Sequence, residues 1–283
     1  MKRIKAYFRK FFFFILVNSL KKAAREQGLD KLVVRLEDVV PDISGQYSTF
    51  KLNSAYMRAK VRNMHAFQIA LFNRIVEKFQ ACTIVDLGDS SGTHLQYIIG
   101  LNAQNKDIKC LSVNLDAKAV ERIKAKGLDA INARIEDLDE YSVKADIIMC
   151  FETLEHLMDP CSFLYQLSLK TGAEYLIVTV PYLKTSRVGL HHIREDRQED
   201  VCAENTHIFE FSPEDWRLIL KHSGWSIVEE KIYLQYPKRS FFRITKPIWK
   251  RFDYEGFYGF ILKRNNRWSS RYMDWKGLLK GKT

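Results

Sequence analysis

The chain has 283 residues, of which 46% are hydrophobic and 28% charged, and its formal net charge is +11. This balance suits a globular protein, and the few Pro and Gly residues, 6 and 13, argue against long disordered or repetitive regions. Five cysteines without a CxxC pair indicate neither a disulfide framework nor a zinc site, which favours a reducing, cytoplasmic compartment.

The positive charge lies at the two ends of the chain. Residues 231–283 carry 14 Lys or Arg against 3 Asp or Glu, and residues 1–30 carry 8 against 2, so the body between them is mildly acidic. Basic ends rich in aromatic residues suit an anionic surface, either phospholipid or nucleic acid. An ordinary solvated surface with a basic bias explains the same composition.

The first predicted element is a basic, aromatic segment whose apolar run is Phe11–Val17. Seven residues are too few to span a bilayer, which needs about 20, and no cleavage site of a signal peptide follows. Two interpretations stay open, a helix lying in a membrane interface and a terminal helix packing its Phe residues on the domain. We divide the chain into an N-terminal segment 1–54, a main domain 55–263 and a basic aromatic tail 264–283.

From residue 55 onward, apolar β-branched runs alternate with helical periodicity. The predicted helices are 55–79, 94–101, 117–126, 160–169 and 213–223, and the predicted strands are 83–87, 108–114, 129–132, 145–150, 175–180, 225–234 and 257–262. Continuous apolar strands separated by helices are typical of a parallel sheet covered on both faces. The sequence therefore predicts an α/β fold with a doubly wound, Rossmann-like sheet of seven strands, the last two joined without a full helix.

The first strand ends in the run D-L-G-D-S-S-G-T, residues 86–93. Small residues let the backbone turn sharply and approach a ligand, and we expect free N–H groups at the start of the following helix. The run resembles motif I of class I S-adenosylmethionine-dependent methyltransferases, D/E-x-G-x-G-x-G. Asp86, Gly88 and Gly92 stand at its positions, and Ser90 replaces the middle glycine. The resemblance implies that S-adenosylmethionine binds here and that a seventh strand runs antiparallel beside the sixth.

The resemblance also implies further cofactor contacts. The family usually has an acidic residue at the end of the second strand, where it accepts hydrogen bonds from the ribose hydroxyls. This sequence has Asn114 there and Asp116 two residues later, and the contact stays open between them. Ile135 and Glu136 stand in the segment that resembles the adenine-contacting one, and Phe151 is expected to contact the cofactor from the fourth strand.

Two later blocks strengthen the resemblance. Residues 146–160, D-I-I-M-C-F-E-T-L-E-H-L-M-D-P, resemble the D-x-V-x-x-x-E-V-L-E-H-V-x-D-P block of ubiquinone-biosynthesis-type O-methyltransferases. Residues 207–212, H-I-F-E-F-S, followed by the pair Gly224-Trp225, resemble the same family's H-x-x-x-F-S…G-F segment. Together the blocks cover about residues 80–235, and the chain is similar to the methyltransferase type 11/12/23 group.

The block around the fourth strand offers two carboxylates and an imidazole, Glu152, Glu155 and His156, and His207 supplies a second imidazole. If the acceptor is a hydroxyl, its proton must be removed during methyl transfer, and His156 or His207 is the expected base, with Glu152 a further catalytic candidate. The four residues also resemble the E-x-x-E-H plus His metal site of small-RNA 2′-O-methyltransferases. That resemblance implies Mg²⁺ or Mn²⁺ on all four, the alternative being that they cap the turn or contact substrate without a metal.

Two further segments are candidate covers of the site. Gln46, Tyr47 and His65 precede the core and are expected near cofactor or acceptor, although a surface position explains them as well. A polar stretch containing residues 191–200 follows the fifth strand, either as a substrate lid or as a solvated loop.

Three functions stay open. The basic, aromatic ends favour O-methylation of a small-molecule or lipid-linked acceptor, such as a surface-polysaccharide or sugar precursor or a prenylated quinone, at the inner face of a membrane. The paired Glu and His residues and the charged tail favour RNA 2′-O-methylation. Ser90, Asn114 and Arg134, which depart from the family pattern at cofactor positions, favour a non-catalytic Rossmann-like binding or scaffold protein.

Overall fold

We describe the fold from a computed structural model of the chain. It describes residues 2–47, 50–102, 107–135, 137–138, 143–189, 206–252 and 254–271, without the side chains of 2–9 and 252. The expected adenine contact Glu136, the polar stretch 191–200 and the tail beyond residue 271 lie outside the described residues.

All predicted helices and strands are present in the predicted order. The helices are α1 Lys2–Glu26, α2 Asp30–Val39, α3 Ala55–Val76, α4 Thr93–Asn102, α5 Ala117–Ala125, α6 Pro160–Lys170, α7 Pro213–His222 and α8 Lys246–Phe252. The strands are β1 Ala81–Leu87, β2 Asp107–Asn114, β3 Asp129–Asn132, β4 Ile147–Phe151, β5 Tyr175–Tyr182, β6 Arg187–Val188, β7 Phe209–Glu210, β8 Trp225–Leu234 and β9 Gly256–Arg264. The predicted ends of the seven main strands differ from these by two residues at most. Helices α2 and α8 and strands β6 and β7 are additional elements.

Side-chain caps fix where several helices begin. The residues before α3, α5, α6 and α7 each accept a hydrogen bond from a backbone N–H in the first turn, which satisfies a donor that the helix itself leaves unpaired. These capping residues are Ser54, Asp116, Asp159 and Ser212. Proline begins both α6 and α7, where its missing N–H and fixed φ angle carry no penalty.

The main sheet has seven strands in the order β3-β2-β1-β4-β5-β9-β8. Strands β1 to β5 are parallel, and β9 runs antiparallel to both β5 and β8, between which it is inserted. The Rossmann-like class I methyltransferase fold is thereby confirmed. One expectation was wrong, because β8 and β9 are joined through the 3-10 helix Phe241–Thr245 and α8.

The N-terminal helices belong to the core on one face of the sheet. Leu36, Ile43 and Leu52 are buried in the same cluster as the apolar side of α3, while α6 and α7 cover the opposite face. Helix α3 packs on the sheet, where its Phe67 stacks on Tyr233 of β8 with ring centroids 5.7 Å apart. Oε1 of Gln68, on the same helix, lies 3.1 Å from Nε2 of His94, which places α3 beside the motif I run at the end of β1.

Helix α1 packs part of its apolar side on the domain, as one of the two interpretations of the N-terminal segment expects. Leu16 and Leu20 are buried against the C-terminal part of the chain, and Phe13 packs on Tyr56 with ring centroids 5.5 Å apart. Phe11, Phe12 and Phe14 are exposed. Among the residues that the structure describes, no helix is long and apolar enough to cross a membrane.

Candidate cofactor and active site

The motif I loop between β1 and α4 depends on glycine at two positions. Gly88 and Gly92 have φ angles of +92° and +72°, in a region that other residues rarely adopt. A Cβ on Gly88 would lie 2.6 Å from Oγ1 of Thr153, and one on Gly92 would lie 2.9 Å from a methyl group of Leu128. Position 90 does not require glycine, because Ser90 has an ordinary negative φ angle. Among the described non-glycine residues, only Glu152 has a positive φ.

The Asp89 carboxylate lies at the start of α4, so one of the N–H groups expected to be free there, that of His94, already has a protein acceptor. Its Oδ2 accepts a hydrogen bond from the His94 N–H at 2.9 Å, and its Oδ1 accepts one from the Ser91 N–H at 3.3 Å. The Gln46 amide also donates to Oδ1, at 3.2 Å. A buried carboxylate therefore already satisfies these N–H groups and complements the helix dipole.

His94 lies at the centre of a buried polar network. Its Nδ1 lies 3.2 Å from Oδ2 of Asp86, and its Nε2 lies 3.1 Å from Oε1 of Gln68. Gln68 in turn donates to Oγ1 of Thr179 at 3.0 Å. Because both ring nitrogens face acceptors, the ring is bound as a doubly protonated imidazolium. The network ties the motif I loop to α3 and to β5.

The charges of this network are coupled. Burial lowers the pKa of His94, but the carboxylates of Asp89 and Asp86 outweigh burial and raise the pKa to about 9. Burial raises the pKa of Asp86 to about 6, against the opposing effect of the His94 charge. At neutral pH the folded protein therefore holds a buried cation between two carboxylates.

The N-terminal segment covers the loop through Gln46. Its side-chain carbonyl accepts a hydrogen bond from the Ser91 hydroxyl at 3.0 Å. Arg122 of α5 donates to the carbonyls of both Gly45 and Ser90, each at 3.2 Å, and so binds segment and loop together. Of the other expected covers, His65 is buried with its ring centroid 4.9 Å from that of His94, and Tyr47 stacks on Phe50.

The side chains of the two residues expected to contact the ribose also form hydrogen bonds with backbone groups. Asn114 donates to the Asp89 carbonyl at 3.0 Å and accepts from the Asp116 N–H at 2.9 Å. Asp116 caps α5 through one carboxylate oxygen, which accepts from the Lys118 N–H. The expected adenine contact Ile135 is buried, as is Phe151, whose ring packs edge-on against His94 at 5.1 Å. The ends of β1, β2 and β4 thus lie together around the loop.

The turn after β4 begins at Glu152, whose φ angle is +48°. Its N–H donates to the Thr179 carbonyl at 2.8 Å, and the Thr153 hydroxyl donates to the Leu87 carbonyl at 3.2 Å. A non-glycine residue in this region is strained, and such strain is often found at functional sites. The turn carries Glu155 and His156 to the same edge of the sheet as the motif I loop.

The small β6–β7 sheet brings His207 to His156. Gly189 lets the two strands approach, because a Cβ there would lie 2.3 Å from the His207 carbonyl. The Ile208 N–H donates to the Glu155 carbonyl at 2.6 Å. The rings of His156 and His207 meet edge to face with centroids 4.6 Å apart, so two histidines separated by 50 residues of sequence form one pair.

Both histidines of this pair are oriented through Nδ1. The Nδ1 of His156 lies 2.9 Å from the Thr206 carbonyl, and that of His207 lies 3.0 Å from Oε1 of Glu210. Burial raises the pKa of Glu210, but hydrogen bonds from His207, Tyr254 and Arg187 outweigh it and lower the pKa to about 2. Glu210 is therefore an ionised, buried carboxylate directly behind His207.

Glu155 is the third member of this cluster. Its side chain is buried, and among the described residues neither carboxylate oxygen accepts a hydrogen bond. Burial, with the nearby charge of Glu152, raises its pKa well above the usual range. Ligand atoms of Glu155, His156 and His207 lie within 4.8 Å of one another, and Glu152 is not part of that set.

Sequence reasoning missed two groups in this region. Glu210 and Tyr254 hold His207, with the Tyr254 hydroxyl donating to Glu210 at 2.5 Å. His94, Asp89 and Gln68 hold the motif I loop. The sequence offered only a faint signal for Glu210, which is a polar residue between Phe209 and Phe211. It offered no signal for Tyr254, which only folding brings close to His207.

The His94 network predicts a pH-dependent stability. Because the folded pKa of about 9 exceeds the ordinary 6.5, the contribution of His94 is complete below pH 6.5 and is lost as the pH rises through 9. We expect the free energy of unfolding of the wild type to fall by about 3 kcal/mol more than that of His94→Gln between about pH 6 and 9. Urea unfolding at several pH values measures this difference, and identical pH profiles for the two proteins would contradict it.

Comparisons with known proteins agree with this geometry. The profile of a family described as a methyltransferase domain matches residues 57–230, which is more than half of the chain. No curated protein matches the chain. Among solved structures, the (4+2)-cyclase SpnF has a TM-score of 0.54 at 11% identity, over 86% of this chain and 97% of that one.

Two further solved structures are similar to this chain. A candidate sarcosine dimethylglycine methyltransferase from Galdieria sulphuraria has a TM-score of 0.54 at 10% identity, over 75% of this chain and 88% of that one. An S-adenosylmethionine-dependent methyltransferase from Archaeoglobus fulgidus has a TM-score of 0.47 at 15% identity, over 71% and 94%. The similarity to SpnF and to the Galdieria protein shows a common fold. The profile match shows the family to which the chain belongs. The chain therefore belongs to the methyltransferase domain family and is an S-adenosylmethionine-dependent methyltransferase of class I.

Proposed function

We propose that the chain methylates a hydroxyl oxygen of a small-molecule or lipid-linked acceptor, of the sugar, surface-polysaccharide or quinone type. The observation that carries the proposal is the His156–His207 pair, which lies on the turn after β4 and on the adjoining hairpin. An oxygen nucleophile needs a base, whereas many other methyl acceptors do not. Two oriented imidazoles beside a motif I loop supply one.

The base that we propose is His207. With Nδ1–H donated to the ionised Glu210, its Nε2 carries the lone pair that can accept a proton. The carboxylate behind it stabilises the imidazolium that forms, as the acid does in other carboxylate–histidine pairs. The Nδ1 of His156 faces the Thr206 carbonyl, which is a neutral acceptor, so we assign His156 to positioning the acceptor.

We propose contacts to S-adenosylmethionine from the motif I loop and from the end of β2. Backbone of Gly88, Ser90 and Gly92 would hold the methionine part of S-adenosylmethionine, and Asp116 is preferred to Asn114 for the ribose. The preference rests on the Asn114 side chain, whose amide and carbonyl are both engaged with backbone. When bound, the cofactor supplies an electrophilic methyl group. The acceptor oxygen forms the new bond to that carbon as the carbon–sulfur bond breaks, and the hydroxyl proton passes to Nε2 of His207.

Substitution of His207 and of the carboxylate behind it tests the base. We expect His207→Gln to lower kcat by about 100-fold or more, because the hydroxyl proton then has no acceptor, while the affinity for S-adenosylmethionine stays unchanged. Glu210→Gln should lower kcat less and shift its pH profile. The matched control is His222→Gln on α7, which should behave as wild type.

Methyl transfer is measured with S-adenosylmethionine labelled in the methyl group, offered with a cell lipid extract or with total RNA. Label in the lipid fraction that is lost in His207→Gln supports the proposal. Label in RNA would favour 2′-O-methylation, and undiminished transfer by His207→Gln would contradict the role of the base.

Metal binding is a second candidate, favoured by the grouping of Glu155, His156 and His207. Both Nδ1 atoms are held by protein acceptors, an arrangement common behind metal-bound histidines. With two imidazoles and one carboxylate, the donor set suits a transition-metal ion better than Mg²⁺, which prefers oxygen ligands. A bound cation would also favour the ionised form of the Glu155 carboxyl.

Metal content distinguishes the two uses of the cluster. If a metal is held, we expect protein purified without chelator to contain about one transition-metal ion per chain and Glu155→Gln to lose it. Glu152→Gln, the matched neighbouring variant, should retain the ion because Glu152 lies outside the set. Equal metal content in wild type and Glu155→Gln, measured by elemental analysis, would contradict the site.

A further inference from the structure

Within the described residues, part of each basic end, α1 and the segment Lys238–Trp249, meets the other in the folded protein. The segment from Lys238 to Trp249 runs alongside α1 in the opposite direction. Glu26 near the end of α1 accepts hydrogen bonds from the backbone N–H groups of Lys238 and Arg239. Farther back along α1, the Ser19 hydroxyl lies 2.8 Å from that of Thr245, and Leu16 and Leu20 pack with Trp249.

The outward sides of this paired structure carry large apolar residues. The exposed fractions are 54% for Phe11, 62% for Phe14, 76% for Phe241 and 53% for Ile244, and Phe12 is 42% exposed. From residue 11 to residue 26, α1 extends about 22 Å at the usual rise of 1.5 Å per residue. Exposed apolar residues grouped on this scale mark an interaction site.

The charge around these residues is predominantly positive. Residues 2–26 and 237–252 contain 14 Lys or Arg and one acidic residue, Glu26, whose carboxylate accepts the Lys238 and Arg239 N–H groups. Among the basic residues whose side chains are described, the exposed ones are Lys10, Lys21, Lys22, Arg25, Lys238, Arg239, Arg243, Lys250 and Arg251. An anionic partner with an apolar interior meets both the charge and the exposed side chains.

We propose that this surface, Phe11–Lys22 with Lys238–Arg251, docks the protein on the face of an anionic phospholipid bilayer. Headgroups would contact the lysines and arginines, and the Phe side chains and Ile244 would enter the region where headgroups meet acyl chains. Nucleic acid fits less well, because bases can stack on phenylalanine but offer nothing to Ile244. Within the apolar run Phe11–Val17, Phe11 and Phe14 are exposed and would insert, whereas Phe13 and Leu16 pack on the domain. The run is too short to span a bilayer.

The docking surface adjoins the candidate active site. Strand β8 is parallel to β5, since both run antiparallel to β9, so Leu234 ends at the same sheet edge as the motif I loop. The segment that follows it forms the surface and then returns to Tyr254, whose hydroxyl contacts His207 and Glu210. Docking would present the candidate active site to molecules anchored in the bilayer, and this consequence rests on the proposed function. The docking proposal itself does not depend on that function.

Vesicle flotation of the full chain tests the proposal without any methyl transfer. The probe is phosphatidylcholine vesicles containing about 30% phosphatidylserine, with pure phosphatidylcholine as the uncharged comparison. We expect binding to the anionic vesicles, weaker binding to the neutral ones, and a loss of about tenfold or more in Phe11→Ser/Phe14→Ser/Phe241→Ser. These side chains are exposed, so the variant should keep the wild-type circular dichroism and affinity for S-adenosylmethionine.

The matched control replaces three apolar residues of similar exposure elsewhere, Val34→Ser/Leu218→Ser/Val228→Ser, and should float as wild type. A second variant, Lys22→Glu/Arg243→Glu/Lys250→Glu, should lose binding to anionic vesicles while retaining the three Phe residues. Absence of wild-type flotation, or equal flotation of the Phe variant, would overturn the proposal. Steeply salt-dependent RNA binding without vesicle binding would overturn it in favour of a nucleic-acid surface.

Discussion

The buried ion cluster around His94 is the constraint on which the rest of the site depends. An imidazolium enclosed by Asp86 and Asp89 is stable only if all its hydrogen bonds are satisfied, and Gln68 supplies the last one. The same contacts fix four pieces of chain, namely the end of β1, the start of α4, α3 and, through Thr179, β5. Moving any one of them would leave a buried charge without its partner.

This cluster explains how a divergent motif I keeps its shape. The loop needs glycine only at Gly88 and Gly92, where the φ angles are positive and neighbouring side chains approach closely. Ser90 adopts an ordinary φ angle, and Asp89 closes the helix end with its own carboxylate. The departure from the family pattern at Ser90 is therefore accommodated within the loop.

Much of the fold could be predicted from the sequence because its signals are local. Continuous apolar strands, capping residues such as Ser212, and the regular alternation of helix and strand identify elements one at a time. The antiparallel direction of β9 beside β8 followed only from the family resemblance. Its insertion between β5 and β8 was not predicted, since strand order is a property of long-range packing. The helix before β9 was missed, because a two-turn helix has too few periodic residues to register.

The site was predictable where residues lie in one motif and not where folding assembles them. His156 and His207 were both identified, but their pairing and the carboxylate behind His207 required the β6–β7 sheet. Glu210 and Tyr254 come together across 44 residues of sequence, and no spacing rule anticipates that. Likewise, two separate basic segments became one surface only after α1 packed against the chain that follows β8.

Calorimetric titration of S-adenosylmethionine into the wild type and Gly88→Ala tests whether the motif I loop binds this cofactor. We predict saturable binding to the wild type. In Gly88→Ala binding should be weaker by about tenfold or more, because a Cβ there is strained at φ +92° and collides with Thr153. No binding to the folded wild type at about 1 mM cofactor, or equal affinity in the two proteins, would contradict this prediction.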